Sequence, residues 1–251
     1  MSLVPKPLPR AEIDSWAVAQ AGLPPRVVHA ATKHGLANIG RLRDLRPGMI
    51  PGIGLQSERH VQRFLQLCDK LSAGQSLFEG LNDLMSFFLD PDQLEVLVHR
   101  YGLHEAAMPQ ARQTLQSIGT ARHVSRERIR QVEATALDTL RTRLAQSCLQ
   151  PLYRAYCSFI DHEGGAVEPA ELNGFPDTPM LAGMSPSGAL RILTVCRAVP
   201  VFCNGFFTTV PETTLQSLDK AVMASLSETA LMTMDELLER NLGEVSGLTR
   251  K

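Results

Sequence analysis

The stretch that most constrains this chain runs from residue 114 to 141 and reads TLQSIGTARHVSRERIRQVEATALDTLR. Its apolar residues follow two helical periods separated by a polar joint. Over 114–121 Leu115 and Ile118 turn inward, and Gly119, lacking a side chain, lets a following helix come close. Residues 122–124 form the joint. Ser125 is an N-cap whose hydroxyl can satisfy an orphan amide, and it opens a second helix of about 16 residues. Ile129, Val132, Ala136 and Leu140 recur at helical spacing as a buried stripe, which leaves Arg126, Glu127, Arg130 and Gln131 on the outer face near the N-terminal end.

Two short helices joined tightly, the second with such a face, form a helix-turn-helix that can lie in the major groove of double-stranded DNA. Arginine can bond guanine O6 and N7 with a two-pronged fork, glutamine can do the same to adenine, and glutamate can accept from cytosine N4. A recognition helix offers its N-terminal residues to base edges. The bland alternative is a solvated helix face on which Glu127 and Arg130 form an ordinary i,i+3 pair worth a few tenths of a kcal/mol.

Charge is distributed in blocks. The net charge of −1 conceals +5 over residues 1–73, −5 over 74–111, +4 over 112–143 and −5 over 144–251. Two basic blocks separated by an acidic one suggest two places where a polyanion docks, because phosphate contacts dominate nucleic-acid affinity.

From about residue 89 to 143 the sequence resembles region 4 of bacterial sigma factors, whose helix-turn-helix reads the −35 promoter element. VSRERIRQVEATAL is a specific match, and Tyr101-Gly102-Leu103 stands where that family has its helix-ending motif. By position the resemblance implies that Arg126, Glu127, Arg130 and Gln131 contact bases, while Thr114, Leu115 and Arg128 lie against the phosphate backbone. Arg122 departs from the aromatic residue usual at the joint. The resemblance also implies RNA polymerase, through its beta flap, as an alternative partner with DNA contact secondary. A complete initiation factor would carry a further region with aromatic residues for unpaired promoter bases. Trp16, Tyr153 and Tyr156 do not form such a cluster in the sequence.

Residues 23–70 hold two helical segments around Pro51-Gly52-Ile53-Gly54, a helix-hairpin-helix signature in which glycines let backbone amides approach a phosphate. A plain turn without a ligand is the alternative. Over about 10–73 the pattern resembles the C-terminal domain of the RNA polymerase alpha subunit, which docks in AT-rich minor grooves. That resemblance puts Arg26, His29, Gly54, Gln56 and Ser57 at candidate minor-groove positions, with His29 in place of asparagine and Gln56 in place of lysine.

After residue 143 the pattern becomes mixed. An amphipathic segment at 152–160, a short strand at 164–167, a short helix opening at 169–172, a helix through 188–195 and a hairpin over 199–210 turning at Asn204-Gly205 give the order of a winged-helix domain. Leu152, Ala155 and Glu171-Leu172 resemble Leu218, Ala221 and Glu236-Leu237, a weak repeat whose second copy is truncated. Either the chain is a fragment of a longer protein or its last helices cap the domain.

The fold expected is therefore mainly α. It comprises an alpha C-terminal-domain-like helix-hairpin-helix domain over 1–73, a sigma region 4-like helix-turn-helix domain over 74–146 with Asp90-Pro91 and Gly102 bounding one helix, and a winged-helix-like α+β domain over 147–251. The linker SAGQS (72–76) separates the first two, and the second begins near Leu77. The −5 block after residue 143 suits protein contacts or homo-oligomerisation better than DNA.

Other classes find little support. Seven histidines occur without HxxxH or HExxH spacing, no phosphate-binding lysine loop is present, and His162-Glu163 before Gly164-Gly165 reads as a helix end. No catalytic residue, metal site or cofactor is expected. Five cysteines without a CxxC pair read as reduced, buried residues. The N-terminus lacks a signal-peptide pattern and no apolar run reaches about 18 residues, so the expected location is the cytoplasm, at the nucleoid.

Overall fold

The computed structural model describes residues 6–44, 50, 53–75, 78–104, 112–197 and 200–228. The chain divides into two compact units, one formed by residues 1–155 with 177–185 and the other by 156–176 with 186–251.

In the first unit five helices come first: α1 (Arg10–Asp14), α2 (Val18–Ala21), α3 (Pro25–Lys33), α4 (Ile39–Arg43) and α5 (Leu55–Ser72). Pro25 opens α3 at a position where no amide donor is needed, and the Asn38 side chain caps α4 by accepting from the Arg41 amide at 3.0 Å. Ile13, Trp16, Val27, Ala31, Ile39 and Leu42 are buried together with Val61, Phe64, Leu67, Cys68 and Leu71 of α5. Arg43 fastens this bundle, donating to Asp14 of α1 at 3.0 Å and to Asp69 of α5 at 2.5 Å. Pro51 and Gly52 of the expected hairpin lie outside the described residues, as do Ser76 of the expected linker and Leu77.

The unit continues with α6 (Leu81–Phe88), α7 (Pro91–Tyr101), α8 (Leu115–Ala121), α9 (Arg126–Leu140) and the part of α10 (Arg143–His162) up to residue 155. The two helix groups touch: a Cβ on Gly22 would lie 2.8 Å from Thr142 Oγ1, beyond the end of α9, and 3.7 Å from the Phe88 ring. α10 corrects the sequence reading, which has a separate segment begin at Leu152. The helix is continuous through Pro151 and through the expected boundary at 146/147. A proline inside a helix costs about 3 kcal/mol. Leu144, Ala145, Cys148, Leu149, Leu152 and Tyr153 form one buried stripe on both sides of it, and that burial outweighs the lost hydrogen bond. Residues 177–185 also belong to this unit. Their 3-10 turn, Pro179–Leu181, packs on α6, and Gly80 sits so close that a Cβ would lie 3.2 Å from the Pro179 carbonyl oxygen.

The second unit has β1 (Ala166–Val167), a 3-10 turn at Glu171–Gly174, α11 (Pro186–Cys196), β2 (Val201–Cys203), β3 (Phe206–Thr208) and α12 (Glu212–Glu228). The three strands form one antiparallel sheet in the order β1-β3-β2, with Val167 opposite Phe207 and Phe202 opposite Phe207. The turn between β2 and β3 falls at Asn204-Gly205, both with positive φ (49° and 92°), the backbone signature of a tight hairpin. The short helix expected from residue 169 is a 3-10 turn starting at Glu171 instead, with Glu171 accepting from the Glu168 amide at 2.6 Å. Tyr156 is buried, stacks on Phe175 at 4.2 Å and donates to the Pro186 carbonyl at 2.7 Å. Burial pushes its hydroxyl pKa well up. Trp16 and Tyr153 are buried as well, so none of the three aromatics is available for a base. Leu218 and Ala221 of the weak repeat fall in α12, whereas Glu236 and Leu237 lie outside the described residues.

Of the five cysteines only Cys68 and Cys148 are buried; Cys157, Cys196 and Cys203 are half-buried, which corrects the expectation for those three. Burial raises the Cys68 thiol to about 12 and raises Cys148 further, so both stay protonated and unreactive at neutral pH. Among the described residues no helix is long and apolar enough to cross a membrane.

Candidate nucleic-acid interface

The scaffold under the interface is the packing of α7, α8 and α9. α7 starts in a capping box: Asp90 accepts from the Gln93 amide at 2.8 Å, and the Gln93 side chain accepts from the Asp90 amide at 3.1 Å. It stops at Gly102, whose φ of 70° is a left-handed end. Val96 of α7, Ile118 of α8 and Ile129 of α9 form a buried cluster, with Leu115 and Val132 packed against it. The inward residues read from periodicity are thus the ones that lock the three helices.

The joint is tight for a steric reason. His123 takes a positive φ of 55°, and the Val124 amide bonds back to the Gly119 carbonyl at 2.9 Å. A Cβ on Gly119 would meet the Val124 carbonyl oxygen at 2.8 Å, so only glycine permits this approach. Arg122 does not fill the core. It reaches back to the first turn of α7, donating to Asp92 at 2.5 Å with Glu95 at 3.8 Å. The joint is therefore fastened by an ion pair where the resembled family uses an aromatic ring.

Ser125 accepts from the Arg128 amide at 3.1 Å and so caps α9. Thr114 caps α8 in the same way, accepting from the Ser117 amide at 3.0 Å. Its hydroxyl proton is left to donate outward. Leu115 turns its side chain to the cluster, so toward a phosphate it can offer only its backbone amide at the start of α8.

Arg126, Glu127, Arg128, Arg130 and Gln131 are all exposed on the first turns of α9. Three of them are bound to one another. Arg130 holds Glu127 with both prongs, Nε at 2.8 Å and an Nη at 2.7 Å, and the Gln131 amide nitrogen donates to Glu127 at 3.4 Å. The hydrogen bond that Arg130 donates keeps the Glu127 carboxyl below the usual carboxylate range, and the same bond, accepted by Glu127, raises Arg130. Glu127 thus sits at the centre of a polar clasp, a coupling that the i,i+3 and i,i+4 spacings already contain.

Glu133 is a residue the sequence reading passed over. Its side chain is 12% exposed and accepts from Arg100 at 3.2 Å and from the Tyr101 hydroxyl at 3.0 Å, tying the middle of α9 to the end of α7. Only its i+4 relation to Ile129 on the inward side of α9 hinted at this.

The second candidate surface lies on α3 and α5, which pack against each other. Arg26 and His29 are exposed one turn apart on α3, while Gly54 is the N-cap of α5, with exposed Gln56 and half-buried Ser57 in the first turn. Gly54 has φ of −83° and nothing within 4 Å of a Cβ, so neither conformation nor crowding within the chain requires a glycine there. Its open side is room for an approaching group. Among the described residues no three of histidine, cysteine, aspartate and glutamate gather as a metal site.

Residues 89–142 match the family model described as Sigma-70, region 4. The match begins at the residue before the Asp90 capping box and ends just past α9, so it covers the whole helix-turn-helix. That family is a DNA-binding, non-enzymatic one whose members bind DNA and RNA polymerase, and the match supports a DNA-binding, regulatory role for this helix-turn-helix. No curated protein and no solved structure matches the chain.

Proposed function

We propose that this chain is a sequence-specific double-stranded DNA-binding transcriptional regulator that reads a −35-like element in the major groove through the first turns of α9. The observation that carries the reading is the exposed set Arg126, Glu127, Arg130 and Gln131 on a helix whose opposite side is locked into α7 and α8, within a region 4 match. Arg126, Glu127, Arg130 and Gln131 take base edges, and Thr114, the Leu115 amide and Arg128 take the phosphate backbone.

The α1–α5 segment serves as an alpha C-terminal-domain-like helix-hairpin-helix module. Arg26 enters an AT-rich minor groove, where negative potential is concentrated, and the open amide side of Gly54 approaches a phosphate with His29, Gln56 and Ser57 beside it. The +5 charge of residues 1–73 supports this. Residues 147–251 are assigned as a winged-helix-like domain on the strength of the β1-β3-β2 sheet and its hairpin. Their role is protein contact or homo-oligomerisation, favoured by the −5 charge and by exposed Phe202 and Phe206 (40% and 42%). RNA polymerase is a second partner on the ground that region 4 domains bind it.

The experiment is selection of bound fragments from random duplex DNA followed by footprinting of the wild type and Arg26→Ala. The expected result is a bipartite site, a short defined sequence beside an AT-rich stretch, with Arg26→Ala losing protection over the AT-rich part alone. A single compact footprint unchanged by Arg26→Ala would assign the first helices to protein contacts.

A further inference from the structure

A groove of about 280 Å³ opens between α5 and α6, apart from the helix-turn-helix face. Arg63, Gln66, Leu67 and Lys70 of α5 line one wall, and Phe78 with Asp83 and Phe87 of α6 line the other. It lies at the lower limit of ligand pockets, about 300 Å³, a size for one small ligand group.

Cations are concentrated along the α5 wall. Arg59, Arg63, Gln66 and Lys70 are exposed and spaced four, three and four residues apart, a single stripe along the helix. Among the described residues neither Arg63 nor Lys70 has a carboxylate partner; the nearby Asp69 is taken by Arg43. An anion meets these two cations without having to displace an ion pair.

The other wall is a stacking platform. Phe87 has Phe78 at 5.7 Å and Phe88 edge-on at 5.0 Å, His60 stacked at 5.7 Å, and the Arg63 guanidinium carbon 5.9 Å from its ring centre. Burial, and then the Arg63 charge, lower the His60 pKa, so at neutral pH the ring behind Phe87 is uncharged. Aromatic rings and guanidinium planes together are the surfaces on which unstacked bases rest. Asp83 supplies one directional group. One of its oxygens, Oδ2, accepts from the Glu79 amide at 3.2 Å, and the other remains to accept from a base amino group.

Aromatic faces, two free cations and one acceptor in a single groove match one ligand chemistry, a planar base carrying phosphate. We propose that the groove between α5 and α6 binds an unpaired nucleotide, its base against Phe87 and Phe78 with the amino group on Asp83, and its phosphate on Arg63 and Lys70. Adenine, cytosine and guanine carry that amino group and thymine does not, so the site disfavours thymine.

The test is fluorescence anisotropy of the full chain with labelled single-stranded oligo(dA), oligo(dC) and oligo(dT), repeated with unlabelled AMP and inorganic phosphate as competitors. Oligo(dA) and oligo(dC) should bind about fivefold more tightly than oligo(dT), from one charge-assisted hydrogen bond. Asp83→Asn should erase that difference, because an amide can also donate to thymine O4. Phe87→Leu keeps apolar bulk and charge, and should weaken oligo(dA) binding about five- to a hundredfold through lost stacking. Exposed Lys70→Ala should weaken it about fivefold, and circular dichroism establishes that each variant is folded. Competition by AMP, but not by phosphate, with the same dependence on Phe87 would identify a free nucleotide as the source; strands that bind without AMP competition would identify single-stranded nucleic acid. The proposal is overturned if neither strands nor AMP bind, or if Phe87→Leu and Asp83→Asn leave binding and base preference as in the wild type, which would mean that α5 attracts phosphate by charge alone.

Discussion

Arg130 cannot hold Glu127 with both prongs and grip guanine at the same time. In the proposed function, contact of Arg130 with a base would begin with an exchange of partners, in which Glu127 either lets Arg130 go or turns with it toward the groove. Both side chains are fully exposed, where such a pair contributes little to stability, so the exchange is permitted energetically. Its effect falls on selectivity: nonspecific phosphate must compete with Glu127 for Arg130, whereas a correctly placed guanine offers a two-pronged replacement. Glu127→Gln should accordingly bind random duplex DNA more tightly while discriminating less, measured by competition titration. The pH dependence has a defined sign. Because the folded-state carboxyl is lowered by Arg130, the pair is intact above the ordinary glutamate range and is lost only as pH falls through the lowered value. A carboxyl-detected NMR titration should place Glu127 below free glutamate, and Arg130→Ala should return it upward. An unshifted Glu127 would mean that the clasp does not persist in solution.

Helices α8 and α9 depend on the space left at Gly119. Gly119→Ala puts a methyl group 2.8 Å from a backbone oxygen that cannot swing away, and overpacking of this kind costs about 1–3 kcal/mol. Thermal denaturation should register that loss, whereas exposed Thr120→Ala should stay within about 0.5 kcal/mol of wild type. Equal melting of the two variants would show that the joint is looser than described. This element was legible in the sequence because its determinants are local: Ser125 and Thr114 are caps, Ile118 and Ile129 each follow the period of their own helix, and Gly119 stands alone between them. The hairpin at Asn204-Gly205 was legible for the same reason, since positive φ at two adjacent residues selects those residue types. α10 was not, because Pro151 is a strong local stop signal and the buried stripe that overrides it draws on partners distant in sequence. The clasp was half visible, as spacing permits Glu127 to meet Arg130 but cannot decide between a base and a neighbour. Glu133 escaped notice, and the contact of Arg122 could not be read, because their partners, Arg100, Tyr101 and Asp92, are about thirty residues away in the chain.

At the scale of the molecule, charge and packing point the same way. The +5 and +4 blocks lie in one compact unit, where Gly22 of the first helical group touches Thr142 beyond α9. A polyanion held by this unit releases counterions, so affinity for duplex DNA should fall with salt at a log–log slope of about −0.9 per phosphate contact. Salt dependence alone would not separate a reader of sequence from a basic surface, however, since phosphate contacts carry no sequence information. What separates them is the response of individual base pairs. The decisive measurement is the affinity of wild type and Arg130→Ala for the selected duplex and for each of its single base-pair variants at fixed salt. The account predicts that Arg130→Ala loses about 1–3 kcal/mol on the selected duplex and becomes indifferent at one base pair while keeping its preferences elsewhere. A uniform loss across all sequences, or no loss, would contradict it and make α9 a phosphate-binding or protein-binding face.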